Sequence, residues 1–551
     1  MDRLSLTTLG LGVLVAMGAQ LCRADSAFDY KAGAVEYSKL SLPIGSDTAG
    51  YTLSADLDGD GDDDVIMTGS TYPSEGGASR GGQPGKILFN TGNNVFVQAE
   101  GDVPRSEHAR EILVHDFNGD GILDLYVADH GYDVAPFPGF PDQLLLGTGT
   151  GFTDVSARLP DIAGFTHNGA AADIDGDGDI DILALNADTI AAELPYLLIN
   201  DGQANFTLNR TRLPASLVDP GQLKNSYAAE LADLDNDGYP DLVIGRNQYT
   251  DLTPTRIHWN DGQGNFSDDD VSYLEEIDAF GNLELLTVVD IQGVDLNSDG
   301  RRDLLVHAYN ADGFAGTSIQ LFINTGARQF VNETIRRLGN KAINASSDSG
   351  VPALAKVMDV NRDGHLDILL NDSKGTGDDH LFMFEGTGNG CFQAITMADV
   401  TDNAEARLRL GKVSLVSAGA FGYAEFFTTT SNGQSNLLAN YVPITITPRP
   451  VLDNYLHNCS GKLKFTVLVD NGPTYAIDFS LVSMSPEILV QVDPLSIRDV
   501  VETREKPAVF SSATGMMNMQ ELYVDGAVFM RNLKFELVDG ATLLFRLQSY
   551  D

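Results

Sequence analysis

The residues with the clearest chemistry in this sequence are aspartates that alternate with other residues in a short, glycine-containing segment. In its first copy, Asp56, Asp58, Asp60 and Asp64 occupy positions 1, 3, 5 and 9 of nine residues, and Gly61 occupies position 6. Oxygen side chains at alternate positions of a tight loop suit a hard cation such as Ca²⁺, and glycine permits the sharp turn. The segment therefore predicts a calcium-binding loop.

The same segment occurs six times, starting at residues 56, 116, 173, 233, 295 and 359. Six copies in register indicate a structural repeat rather than chance. A polar turn without metal is the alternative interpretation. It applies most to the three copies with Asn at position 3, because these carry one charge less.

The residues that follow each segment exclude an EF-hand, which needs a glutamate at position 12 and a helix after it. Position 12 is instead Met67, Val127, Ala184, Ile244, Val306 or Leu370 in the six copies. Each segment leads into a short apolar run rich in β-forming residues. The pattern predicts a hairpin whose second strand is buried on both faces.

A second motif follows most loops by roughly twenty residues and predicts another hairpin. It consists of an apolar run, an Asn-x-Gly turn and an aromatic residue, as in Leu197–Gly202 before Phe206 and Ile257–Gly262 before Phe266. Each period thus contains four antiparallel strands with the calcium loop between the first and second. Such a repeat is typical of a β-propeller blade.

We therefore expect an all-β fold with a seven-bladed β-propeller and a small C-terminal antiparallel β domain. Six blades carry calcium loops, and the seventh is a composite of residues 35–43 with three β-like runs at 410–415, 423–427 and 436–441. Pairing of 35–43 with 436–445 would close the ring and remove exposed edges. A six-bladed ring with 400–449 as a linker is the alternative.

The predicted domains are a signal peptide at 1–24, the propeller at 28–449 and the small β domain at 450–551. The apolar run at 9–19 and the small-x-small site ending at Ala24 indicate cleavage after export. The apolar run is too short to span a bilayer. We therefore expect a secreted, periplasmic or surface-associated protein without a transmembrane segment. Cys391 and Cys459 either pair or remain free thiols.

The charge of the chain restricts its partners. Asp and Glu number 78 against 35 Lys and Arg, which gives a formal net charge of −43. A protein this acidic repels nucleic acid and anionic membranes even after several calcium ions bind. We therefore expect neither as a partner.

Residues 45 to about 395 resemble the FG-GAP/VCBS repeat family, whose best known relatives are the integrin α-subunit head propellers. The resemblance implies up to six Ca²⁺ ions, each bound by side chains at positions 1, 3, 5 and 9 and by the carbonyl of position 7. The implied ligands are Asp56, Asp58, Asp60, Asp62 and Asp64; Asp116, Asn118, Asp120, Ile122 and Asp124; Asp173, Asp175, Asp177, Asp179 and Asp181; Asp233, Asp235, Asp237, Tyr239 and Asp241; Asp295, Asn297, Asp299, Arg301 and Asp303; and Asp359, Asn361, Asp363, His365 and Asp367. Integrin heads carry fewer calcium loops, and no integrin-like legs follow in this chain.

Members of that family typically serve adhesion or ligand recognition, and a few similar propellers are polysaccharide lyases. The rim opposite the calcium loops carries connections of variable length, where binding residues usually lie. We expect an extracellular protein or glycan ligand there, contacted by Tyr132, Arg246 and Tyr309. The alternatives are solvated loops without a ligand, a lectin, or a lyase using His130 with Tyr132 and Arg246. Trp259 fits a core position better than a sugar platform.

Overall fold

The computed structural model describes most of the chain. The described residues are 28–32, 36–43, 49–70, 81–91, 95–132, 137, 139–186, 193–219, 226–247, 253–312, 316–344, 355–370, 381–387, 390–403, 415–416, 422–431, 434–448, 455–457, 462–469, 474–483, 489–492, 498–499, 508–524, 527–540 and 544–549. The expected signal peptide, the run at 410–414 and Cys459 lie outside them.

Six sheets contain one repeat each, and in every sheet four strands pair antiparallel in chain order. The strands are Ala49–Ala55, Asp64–Gly69, Lys86–Asn90 and Phe96–Gln98 in repeat 1; Ala109–His115, Asp124–Asp129, Gln143–Gly147 and Gly151–Asp154 in repeat 2; Thr166–Ala172, Asp181–Asn186, Tyr196–Asn200 and Phe206–Asn209 in repeat 3; Ala229–Ala232, Asp241–Ile244, Arg256–His258 and Val271–Tyr273 in repeat 4; Leu286–Val294, Asp303–Asn310, Thr317–Gly326 and Gln329–Asn332 in repeat 5; and Lys356–Met358, Asp367–Leu369, Leu381–Gly386 and Phe392–Thr396 in repeat 6. The four-stranded period read from the sequence is present in all six.

Short elements join these sheets. Extra strands are Gln83–Pro84, Glu100–Gly101, Arg105–Ser106, Phe140–Pro141, Ala163–Gly164 and Ile343–Asn344. The helices are Ala215–Val218, Thr334–Leu338 and Met397–Val400, with 3₁₀ turns at Ser156–Arg158, Leu283–Leu285 and Asn340–Ala342. Among the described residues, no helix has the length and apolarity needed to cross a membrane.

The apolar cores lie between successive sheets. Every residue of the second strand is buried in repeats 1 to 4, as the unbroken apolar runs predicted. One core joins Ile66 of repeat 1 to Leu125 of repeat 2, and four more join repeats 2 to 6 in turn. Each sheet therefore packs face to face on the next, which is a propeller-like arrangement.

A further sheet combines both ends of the repeat region. Its strands are Phe28–Ala32, Glu36–Pro43, Leu415–Val416, Gly422–Ser431 and Gln434–Pro448. Pro43 pairs with Asn436 and Glu36 with Tyr441, which agrees with the predicted pairing of these two segments. One face shares a core with repeat 6, where Tyr30 and Val442 pack with Phe382. Leu415–Val416 contacts the first strand of repeat 1.

The strands after residue 454 form one nine-stranded sheet. They are Tyr455–His457, Lys462–Val469, Thr474–Ser483, Leu489–Val492, Arg498–Asp499, Ala508–Ser511, Met516–Val524, Ala527–Asp539 and Leu544–Ser549. The expectation of a purely antiparallel sheet is wrong, because Lys462–Val469 pairs parallel with Ala508–Ser511 and Tyr455–His457 pairs parallel with Met516–Val524. The long stretches of chain between these partners supply the crossover that a parallel pair needs.

Cys391 lies at the last repeat sheet. It is buried and disulfide-bonded. Cys391 is therefore not a free thiol. Its bonding partner is outside the described residues, so the predicted pairing with Cys459 stays a prediction.

Candidate metal centre

The six aspartate loops fold around the carboxylate at position 1. In loop 1, Asp56 Oδ1 accepts a hydrogen bond from Gly59 N at 2.8 Å, and its Oδ2 accepts one from Gly61 N at 3.0 Å. The bond from the amide of position 6 recurs in the other five loops at 2.7 to 3.0 Å. The side chain at position 1 thus accepts hydrogen bonds from the backbone amides of the turn and holds the loop in a compact conformation without a bound ion.

Two positions in each loop need a left-handed backbone. Glycine at position 6 has φ between 82° and 95° in all six copies. Position 4 is also left-handed, with φ between 58° and 78°, and carries Gly59, Gly119, Gly176, Asn236, Ser298 and Arg362. Of these two positions, only the glycine at position 6 was predicted from the sequence. The Gly and Asn residues at position 4 were the available signal, because both types tolerate this region.

The aspartate at position 9 anchors each loop to its own sheet. Asp64 is fully buried; its Oδ2 accepts from Leu57 N at 2.8 Å and its Oδ1 from Asn90 N at 2.7 Å. The other five carboxylates bond to position 2 and to the third strand in the same way. Sequence spacing gave no sign of this second contact, which joins residues about twenty positions apart.

Burial of these carboxylates affects their protonation. Burial raises the pKa of Asp64 and Asp124 to about 6 and that of Asp181, Asp241, Asp303 and Asp367 to about 7, against the lowering effect of the backbone hydrogen bonds. Negative neighbours at positions 1, 3 and 5 add to the rise in several loops. A cation beside such a carboxylate would offset both effects.

The oxygen atoms needed for a cation converge in the loops. Ligand atoms lie within 4.8 Å of one another in three sets, namely Asp56, Asp58 and Asp64; Asp173, Asp175 and Asp177; and Asp233, Asp235 and Asp241. In addition, Asp175 Oδ1 and Asn297 Oδ1 are buried and accept no hydrogen bond. Buried oxygens without a donor need a compensating partner. The residues present therefore fit a hard, oxygen-seeking ion such as Ca²⁺.

The side chain at position 7 differs between the loops in chemistry and in its contacts, so only its backbone is common to all six. The Tyr239 ring lies against the backbone of Gly176 and Gly262, whereas Arg301 donates to Asn324 O at 2.9 Å. The side chains of Ile122 and Asp62 share no chemistry with these. A ligand role for the carbonyl of this position stays a prediction.

The Asn-x-Gly motif joins one repeat to the loop of the preceding repeat. Asn260 Nδ2 donates to Ile174 O of loop 3 at 2.8 Å and to Pro240 O of its own loop at 2.9 Å. Asn200 and Asn324 make the equivalent pair of bonds to loops 2 and 4. This amide therefore couples aspartate loops 2, 3 and 4 to the next sheet.

The three predicted ligand-contacting side chains are not exposed. Tyr132, Arg246 and Tyr309 are 2%, 6% and 5% exposed. Arg246 Nε bonds Glu276 Oε2 at 2.6 Å, and the Glu276 side chain is also buried. All three lie at or just beyond the end of a second strand. These side chains are therefore buried rather than exposed, and their contact with a ligand stays a prediction.

A histidine cluster that sequence spacing did not reveal lies at the same end of the sheets. The His130 ring is 4.4 Å from that of His108, 4.3 Å from Phe165 and 5.7 Å from His167. Arg110 Nη2 lies 3.1 Å from His167 Nε2. Burial and the Arg110 charge lower the pKa of His108 to about 3 and also lower those of His130 and His167. The three imidazoles are therefore neutral at physiological pH.

A cavity of about 530 Å³ lies between the first strands of repeats 2 to 5. Small residues at 169–172 leave the space, and Glu111, Glu230 and Asp290 line it from three different repeats. Burial raises the pKa of Glu111 and Glu230 to about 8 and that of Asp290 to about 6, and for the two glutamates the neighbouring carboxylates add to the rise. These carboxyl groups belong to different sheets, so no local pattern predicted them.

Successive four-stranded sheets, each with an aspartate loop between its first two strands, define a propeller-like repeat protein. The family described as FG-GAP-like repeat matches residues 56–127, 116–184 and 295–370. These parts of the chain therefore contain FG-GAP-like repeats.

A comparison with curated proteins found no match. Among solved structures, a putative exo-beta-1,3-galactanase from Bifidobacterium bifidum s17 is similar at 11% identity and a TM-score of 0.30, covering 55% of this chain and 96% of that one. The Bombyx mori GH32 beta-fructofuranosidase BmSUC1 is similar at 9% identity and a TM-score of 0.29, covering 98% and 95%. Likenesses this distant support no statement about activity.

Proposed function

We propose that this chain is a secreted, calcium-stabilised β-propeller of seven blades that acts as a binding or adhesion scaffold. Its ligand, an extracellular protein or a glycan, binds on the rim opposite the calcium loops. The observation that carries this proposal is the convergence of carboxylate oxygens in the repeated loops, with the buried, unbonded Asp175 Oδ1 among them.

Calcium in these loops has a structural role in the proposal. Each loop joins the first and second strands of one sheet, and loops 2 to 4 accept hydrogen bonds from the asparagine of the next sheet. An ion that holds a loop therefore also holds the junction between two sheets. Metal binding by the folded state alone adds to its stability by mass action.

Closure by a seventh blade has its own support. The sheet containing Glu36–Pro43 and Gln434–Pro448 shares a core with repeat 6, and its Leu415–Val416 strand contacts repeat 1. A sheet between repeat 6 and repeat 1 would cover the outward faces of both and so close the ring. The rigid ring would then present the connections at its far rim to a ligand.

Thermal unfolding with and without chelator tests the calcium role. We expect a lower melting temperature in excess EGTA and full recovery when calcium is restored, because the clustered carboxylates repel one another without the ion. Magnesium at the same concentration is the control, since it prefers fewer protein ligands and a stricter octahedron. Superimposable curves in EGTA and calcium would contradict the proposal.

A lyase or lectin on the same scaffold is a second candidate, favoured by Arg110 beside His167. An arginine binds the planar carboxylate groups of acidic sugars. A glycan screen of the calcium-loaded protein separates the candidates. Turnover indicates a lyase, saturable binding without turnover indicates a lectin, and no response favours a protein ligand.

A further inference from the structure

The six loops differ in the charge at position 3. Loops 1, 3 and 4 have Asp58, Asp175 and Asp235 there, whereas loops 2, 5 and 6 have Asn118, Asn297 and Asn361. Counting positions 1, 3, 5 and 9, the first group holds four carboxylates per loop and the second group three. The additional carboxylate raises the repulsion within the loop when no metal is bound.

In two of the three loops with four carboxylates, an arginine bonds the additional one. Arg212 Nη1 lies 2.8 Å from Asp175 Oδ2 in loop 3, and Arg328 Nε lies 2.7 Å from Asp235 Oδ2 in loop 4. At positions 1, 3, 5 and 9, the arginine offsets the additional carboxylate, so loops 3 and 4 match the three-carboxylate loops at these positions. This count leaves out Asp179 of loop 3 and Arg301, which pairs with Asp299 in loop 5. In loop 1, Lys356 pairs with Asp63 at position 8, and none of the described ion pairs involves Asp58.

Both arginines also lie at a junction between repeats. Arg212 follows the last strand of repeat 3, and its carbonyl accepts a hydrogen bond from Phe266 N of repeat 4 at 2.8 Å. Arg328 lies in the turn between the last two strands of repeat 5 and reaches into repeat 4, where it also bonds Asp270 at 3.0 Å. Both guanidinium groups therefore bond a loop carboxylate. Arg328 joins adjacent sheets through its guanidinium, whereas Arg212 does so through its backbone carbonyl.

We propose that Arg212 and Arg328 are resident counter-ions, which keep loops 3 and 4 and their junctions folded when calcium is scarce and make these loops weaker calcium sites than loop 1. This inference rests on the proposed function, because it assumes that the loops bind calcium. A guanidinium stays charged at every physiological pH, so it repels an incoming Ca²⁺ that shares its carboxylate. The chain thereby responds to calcium over a wide concentration range rather than at one threshold.

Loop 4 contains its own reporter. The Arg328 guanidinium lies over the ring of Trp259, 4.6 Å from the ring centre, and Trp259 is the single tryptophan of the chain. The next residue, Asn260, donates its backbone N–H to Asp241 of loop 4 at 2.9 Å. Tryptophan emission and tryptophan-sensitised Tb³⁺ luminescence therefore report on this loop.

The test compares the full chain with its Arg328→Gln variant in calcium and Tb³⁺ titrations followed through Trp259. We expect the midpoint for loop 4 to move to about tenfold lower calcium, which is the effect of removing one charge next to a divalent ion under water-like screening. The melting temperature in EGTA should fall, while that in saturating calcium should change little. Arg328→Lys, which keeps the charge, should retain the original midpoint.

Arg336→Gln is the matched control, because Arg336 is an exposed residue of the helix Thr334–Leu338 and pairs with Glu333, and none of the described ion pairs joins it to a loop carboxylate. It should leave the midpoint unchanged. If Arg328→Gln does not fold, the comparison is made between the Asp235→Asn variant and the double variant Asp235→Asn with Arg328→Gln. The calcium midpoint for loop 4 must again be lower in the variant without the arginine.

An unchanged or higher midpoint in Arg328→Gln would overturn the inference, since a higher midpoint means that the arginine positions the carboxylate for the metal. Calcium binding by the unaltered chain at its other loops would leave the proposed function intact in that case. Absence of any calcium or Tb³⁺ binding by the unaltered chain would instead defeat the proposed function.

Discussion

Replacing Glu111 with glutamine should change how stability depends on pH. Glu111 lines the cavity between the repeats, where Tyr51 Oη donates to it at 3.3 Å and Asn168 Nδ2 at 3.2 Å. Burial raises its pKa from 4.5 to about 8, and Asp290 adds to the rise. The folded state therefore binds this proton more tightly than the unfolded state does.

The sign and size of the effect follow from proton linkage. A carboxyl whose pKa is raised on folding stabilises the protein below its unfolded pKa, and that contribution is lost as the pH rises through the folded pKa. For a change from 4.5 to about 8, the loss at neutral pH is at most about 4 kcal/mol, at 1.36 kcal/mol per pH unit. Glutamine is never ionised, so the variant avoids this loss.

The assay is urea unfolding in saturating calcium at about pH 5 and about pH 8.5, with linear extrapolation to water. We expect Glu111→Gln to be within about 1 kcal/mol of the unaltered chain at the lower pH and more stable by roughly 2–4 kcal/mol at the higher pH. Glu275→Gln is the control, because Glu275 is exposed. Equal stabilities of the Glu111 variant and the unaltered chain at both pH values would refute the reasoning.

Three further substitutions test the contacts that hold the sheets and loops. Asn324→Ala leaves Leu234 O and Arg302 O without their donor and should lower the free energy of unfolding in urea by about 1–3 kcal/mol. An unchanged urea midpoint would show that these two hydrogen bonds do not stabilise the junction between the sheets. Arg246→Ala leaves the buried Glu276 carboxylate unpaired and should destabilise the protein by about 3–5 kcal/mol, measured by the same method; a stable variant would argue against a structural role. Gly238→Ala should cost roughly 1–2 kcal/mol from backbone strain alone, because φ is 95° and no atom lies within 4 Å of the added carbon; calorimetry showing no loss would contradict the left-handed turn.

Local patterns predicted the parts of the fold that depend on local chemistry. The alternating aspartates identified all six loops, and the apolar runs after them identified the buried second strands such as Asp124–Asp129. Assigning residues 35–43 to a composite seventh blade led to the pairing with 436–441 that the structure contains. In each case the residues that decide the structure are close in sequence or repeat at a fixed period.

Contacts between sheets could not be read in the same way. Arg328 and Asp235 are 93 residues apart, and Arg110 lies 57 residues from His167. Tyr132 was assigned to an exposed rim because it follows a strand, yet its side chain is buried. Which side chain meets which across two sheets depends on their relative rotation and spacing, and these are set by the whole core rather than by any one segment.

The most direct test of the account is the number of calcium ions bound per chain. Purified protein equilibrated with millimolar calcium and freed of excess ion should contain about six ions by elemental analysis, one for each of the six aspartate loops. A variant with position 1 of one loop changed, Asp233→Ala, should contain about one ion fewer. A content well below one ion per loop in the unaltered chain would contradict the account.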